Sequence, residues 1–104
     1  MKIRFGAGFC EEDAGEYYVY THSVAGHGVF YVGKGKGYRI GENFRRNSDW
    51  KDIATKFGLD KIVRTKIVEG ICDDLACLLE SELILLLEKK GSPLTNKMAG
   101  SLGD

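Results

Sequence analysis

The chain has no surplus of charge: 15 basic and 15 acidic side chains leave its 104 residues with a formal net charge of zero. That balance argues against tight, indiscriminate binding to bulk DNA, which rests on many phosphate contacts from a cationic surface. Long hydrophobic runs are missing too. Leu83 to Leu87 is apolar, but Glu80, Glu82, Glu88 and Lys89 bound it, far short of the roughly 20 apolar residues that cross a bilayer. No extended apolar stretch precedes Glu11, Glu12 and Asp13, so a secretory signal is not expected and a cytoplasmic or other reducing intracellular compartment is. Cysteine is scarce: Cys10, Cys72 and Cys77 are odd in number and match no zinc spacing, which reads as buried free thiols. His22 and His27 lack a carboxylate or cysteine at ligand spacing and read as polar residues of a turn and a strand end, not as a metal pair. There is no internal repeat, low-complexity tract or linker, and a chain of this length holds one domain with a modest core.

What the chain does have is uneven. Residues 34 to 66 carry ten basic against four acidic side chains, between two acidic ends. Such a middle can form a one-sided positive patch. Its densest part is Tyr31-Val32-Gly33-Lys34-Gly35-Lys36-Gly37-Tyr38-Arg39, an aromatic, strand-like start running into three alternating glycines with two lysines and an arginine. Lys34, Lys36, Arg39, Arg45 and Arg46 are the candidate phosphate-binding residues.

The residue pattern predicts an α+β fold, a small α/β sandwich with a three-stranded antiparallel sheet flanked by helices. Strands are expected over residues 17 to 22, 29 to 34 and 61 to 69, the first two joined by a hairpin loop at 23 to 28. A short helix is expected over Arg39 to Arg46, another from Asp49 to Phe57 capped by Ser48 and stopped by Gly58, and a long one from an Asp73 or Asp74 cap to about Lys90. Residues 94 to 104 are expected to end loosely.

On the long helix, 100° per residue gives Glu80 the neighbours Ala76, Leu83, Ile84 and Leu87. A carboxylate centred on an apolar face must be paired, bind a metal or carry a raised pKa, because burying an unpaired charge is costly. Pairing with an arginine is the bland alternative to a site.

The triplets Tyr18-Val19-Tyr20 and Tyr31-Val32-Gly33, the hairpin between them, Lys34, Arg39, the helical segment Leu79-Glu80-Ser81-Glu82-Leu83-Ile84 and the closing Leu94-Thr95-Asn96 resemble, in order and spacing, the GIY-YIG nucleases. The resemblance covers roughly residues 17 to 100 of a single domain, 1 to 104. It implies a metal-dependent DNA endonuclease with the catalytic set Tyr20, Tyr31, Lys34, Arg39, Glu80 and Asn96. A tyrosine phenolate is the implied general base, either Tyr20 or Tyr31, with its pKa lowered from about 10. Glu80 is the implied ligand of one Mg²⁺ or Mn²⁺. Arg39 and Lys34 would neutralise developing charge, and Asn96 would orient a backbone or phosphate oxygen. Tyr18 stands where the family commonly has glycine. Asn43 stands where many members have His or Tyr, so no acid–base role is assigned there. With no recognition domain attached, a homodimer or an accessory recognition partner could supply further surface on DNA.

Two other functions compete. Gly28 to Gly35 fits most of a P-loop but ends in glycine where Ser or Thr would hold magnesium. A nonenzymatic nucleic-acid-binding module would use the same basic residues with exposed Tyr38, Phe44 and Trp50 stacking on bases. Glu80 separates that module from a nuclease, since a pure binder does not need it.

Overall fold

The computed structural model describes residues 15 to 96. Strands β1 (Tyr17–Val24), β2 (Gly28–Gly35) and β3 (Ile62–Ile71) form one antiparallel sheet in the order β2-β1-β3, with helix α1 (Ser48–Phe57) between β2 and β3 and helix α2 (Asp73–Lys89) after β3. The expected α+β sandwich is thus the observed one. The first hairpin is tighter than its composition suggests: both strands extend into the expected loop, and only Ala25 to His27 turn, closed by His27 N–H donating to the Val24 carbonyl at 2.9 Å.

Strand alternation gives the sheet two unlike faces. Val19 and Val32 face α2 and pack with Ile71, Leu75, Ala76 and Ile84. The helical spacing of Ala76, Leu83, Ile84 and Leu87 is the stripe that α2 lays on the sheet, as its sequence predicts. Each large aliphatic side chain buried there contributes about 1.5–3 kcal/mol. The opposite face carries Tyr18, Tyr20 and His22 from β1, and Trp50 and Ala54 bring α1 against Val24, Phe30 and Ile62. Trp50 is therefore core, 1% exposed, and not the surface stacking residue its composition suggested. A polar partner lets its indole sit there, because Trp50 Nε1 donates to His22 Nδ1 at 3.0 Å.

Several local expectations change. Asn47, not Ser48, caps α1: its Oδ1 accepts the Trp50 N–H at 2.8 Å, while its Nδ2 donates to the Thr95 carbonyl at 2.9 Å. The two ends of one amide thus tie the helix start to the C-terminal segment. Cys72 precedes α2 as its N-cap without a side-chain cap bond, in place of Asp73 or Asp74. The expected helix over Arg39 to Arg46 shrinks to one 3₁₀ turn, Arg39–Gly41, after which Glu42 is extended. The carbonyls of Arg39 and Glu42 instead accept from the Arg46 side chain. Cys77 is free but exposed, and Cys72 is buried and disulfide-bonded, so the reading of both as buried free thiols fails; Cys10 lies outside the described residues. Residues 94 to 96 are not loose, as Thr95 N–H donates to the Phe30 carbonyl at 2.7 Å. The rest of that stretch is outside the described residues. Among the described residues no helix is long and apolar enough to cross a membrane.

Candidate functional site

Glycine lets the tyrosine face approach its own sheet. Tyr20 pairs across from Gly33 and Tyr18 from Gly35. A Cβ at Gly33 would lie 2.5 Å from the Tyr20 ring, and one at Gly35 would lie 2.5 Å from Arg39 Cγ. The alternating glycines thus make flat ground over which Tyr20 and the stem of Arg39 lie. Tyr18 fixes the loop that follows: its hydroxyl donates to the Gly37 carbonyl at 2.8 Å and accepts the Ile40 N–H at 2.9 Å.

Beneath this loop, Arg46 is a buried hub, 7% exposed. Its Nη1 donates to the Tyr20 hydroxyl at 2.8 Å, Nη2 to the Arg39 carbonyl at 2.8 Å and Nε to the Glu42 carbonyl at 2.7 Å. Its guanidinium carbon lies 5.6, 5.1 and 5.6 Å from the ring centroids of Tyr20, Tyr31 and Trp50. Such cation–π contacts offset part of the lost hydration. Arg46 is therefore not a surface phosphate ligand, contrary to the sequence expectation, because it is buried and each of its three guanidinium nitrogens donates to protein. His22 completes the cluster: Nδ1 accepts from Trp50, so the proton is on Nε2, which donates to the Ile40 carbonyl at 2.9 Å. Arg64 Nη1 reaches that carbonyl at 3.1 Å and its Nη2 donates to Asn43 Oδ1 at 2.7 Å. Asn43 thus orients an arginine. Burial first, with Arg46, Arg64 and Arg39 nearby, lowers the His22 pKa to about 3.

The two tyrosines differ. Tyr20 is fully buried, and burial pushes its phenol above the ordinary value of 10 even though Arg46 pulls the other way. Tyr31 lies 6.2 Å from it, centroid to centroid, and is only half-buried.

Lys34, Gly35, Lys36, Tyr38, Arg39, Glu42 and Arg45 line an open groove of about 450 Å³. Four of the five expected phosphate-binding residues meet there. Lys34 is partly committed, because its ammonium is hydrogen-bonded to Asp73 at the start of α2, which holds its pKa above the ordinary lysine value. Lys36 lies 3.7 Å from Glu16, both exposed, and the exposed Arg45 lies 3.5 Å from the partly buried Glu42. Exposed pairs of this kind are worth little and can be exchanged for a phosphate.

Glu80 and Asn96 meet β2 from its outer edge. Asn96 Oδ1 accepts the Val32 N–H at 2.9 Å and its Nδ2 donates to the Val32 carbonyl at 2.6 Å, the bonds a fourth strand would make. Both ends of its amide are engaged in closing the sheet edge. Glu80, half-buried, accepts the backbone N–H of Lys34. Desolvation raises its pKa, against the lowering influence of Lys34. The structure therefore gathers Tyr20, Tyr31 and Arg39 on one face and sets Glu80 with Lys34 and Asp73 at the edge. Lys34 lies three residues beyond Tyr31, about 10 Å along the strand. Among the described residues no three His, Cys, Asp or Glu side chains form a metal cage. Glu80 fits a simpler demand: a carboxylate accepting one N–H keeps acceptor capacity, and magnesium often takes only one or two protein carboxylates.

Sequence reasoning missed Arg46 as a hub, the His22–Trp50 bond and Asp73 as the partner of Lys34. The one signal for the first was the pair Arg45-Arg46, of which one member turns inward. No protein-family model, curated protein or solved structure matches this chain.

Proposed function

We propose that this chain is a metal-dependent DNA endonuclease of the GIY-YIG type. The observation that carries the reading is Glu80: a half-buried carboxylate with a raised pKa, bonded to the amide of a residue that lines the cationic groove. A groove that only held phosphate would be weakened by such a group, whereas a hard cation bound there would supply Lewis-acid polarisation of a phosphate oxygen and of water. Lys36, Arg39 and Arg45 hold and orient the backbone, and Arg39 with Lys34 offsets charge that develops during hydrolysis. Tyr31 is the base in this reading. Tyr20 is sealed from solvent and its raised pKa runs opposite to what a general base at neutral pH requires. Asn96 acts on the sheet edge, and a homodimer or an accessory recognition partner would extend the surface on DNA.

The test is nicking of supercoiled plasmid with Mg²⁺ or Mn²⁺, run beside EDTA and Glu80→Ala. Metal-dependent nicking that is lost in the variant is expected. Equal nicking by the variant, or none by the folded wild type, would overturn the proposal. Tyr38 and Phe44, 79% and 84% exposed, favour a nonenzymatic nucleic-acid-binding module as the second reading, and metal-indifferent binding without cleavage would select it.

A further inference from the structure

Among the described residues, Tyr38 is the one aromatic side chain lining the cationic groove, beside Lys34, Lys36, Arg39 and Arg45. It is 79% exposed, yet its backbone is not loose. The Tyr18 hydroxyl bridges Gly37 and Ile40 on either side of it, and the Tyr38 carbonyl accepts the Gly41 N–H at 2.9 Å. The ring's far edge rests on bare Gly41, where a Cβ would come within 2.7 Å of the ring carbon bearing the hydroxyl. An apolar ring is thus held outward at low conformational cost, surrounded by charges that suit a sugar-phosphate chain.

We infer that Tyr38 is a stacking platform for an unpaired DNA base, so that the groove selects strands with an unstacked nucleotide over intact duplex. A base inside a duplex has no free face to offer the ring, whereas base–aromatic stacking on a single strand is insensitive to sequence. The neighbouring cations would hold the phosphates on either side of the stacked nucleotide. This deepens the reading of the groove as a nucleic-acid surface and rests on it, but it does not require catalysis.

The experiment measures binding in EDTA, so that nothing is cut, with a short DNA carrying a fluorescent adenine analogue, offered as a single strand and as a duplex. Wild type is expected to prefer the single strand and quench the analogue. Tyr38→Ala should lose the quenching and bind the single strand about 10-fold more weakly, with duplex binding changed less than about twofold. Tyr38→Phe should behave as wild type. Equal weakening on both DNAs, unchanged quenching in Tyr38→Ala, or no binding by wild type would overturn the inference. Quenching without plasmid nicking would sink the nuclease reading alone, and nicking without quenching would sink this inference alone.

Discussion

Arg39 and Arg46 stand seven residues apart on one loop and have opposite fates. Arg46 points inward and gives three hydrogen bonds to a phenol and two carbonyls. Arg39 lays its stem over Gly35 and lines the open groove. A cation satisfied by the protein cannot also serve a ligand, whereas a cation left at a groove contributes little to the fold and is available. The same division runs through the tyrosines, with Tyr20 sealed and Tyr31 half-open. Closed groups build the floor and open groups face solvent.

The largest expected break in this comparison is Arg46→Ala. It strands the Tyr20 hydroxyl and two carbonyls and should cost about 3–5 kcal/mol in urea denaturation, against no more than about 0.5 kcal/mol for Arg39→Ala. That is a large share of the stability of a small domain. Similar losses for both variants would erase the distinction.

A smaller effect comes from pH. His22 has its pKa lowered to about 3 in the folded protein, against an ordinary value of about 6.5. The unfolded chain therefore binds the extra proton between those two values. The stabilisation is complete above about pH 6.5 and is lost as pH falls toward 3, at up to about 1.4 kcal/mol per pH unit. Glu80 acts in the opposite sense, because its raised pKa makes protonation relieve a cost as the pH falls. Urea midpoints measured from pH 7 to pH 5 should fall in wild type, and more steeply in Glu80→Gln, which lacks the opposing group. A flat profile in both would contradict the buried, neutral assignment of His22.

The sheet, the long helix and the apolar setting of Glu80 were legible because they follow from local periodicity. β-branched and aromatic residues mark the three strands, and Ala76, Leu83, Ile84 and Leu87 mark the stripe of α2. The groove was legible as a cluster of Lys34, Lys36, Arg39 and Arg45 close together in sequence. What was not legible depends on partners far apart along the chain. Arg46 meets Tyr20 across 26 residues, Trp50 meets His22 across 28, and Asn96 meets Val32 across 64. No local pattern tells Arg45 from its neighbour Arg46, or an exposed Trp50 from a buried one with its N–H satisfied.

The most direct test of the division between floor and site is the nicking rate of Tyr31→Phe beside Tyr20→Phe, each with its urea midpoint. Tyr31→Phe is expected to keep its stability within about 0.5 kcal/mol and lose about 100-fold or more in rate, in line with removal of a general base. Tyr20→Phe should lose about 1–2 kcal/mol by leaving Arg46 short of a partner, while its folded fraction still cuts. Cleavage by Tyr31→Phe at the wild-type rate would contradict the account.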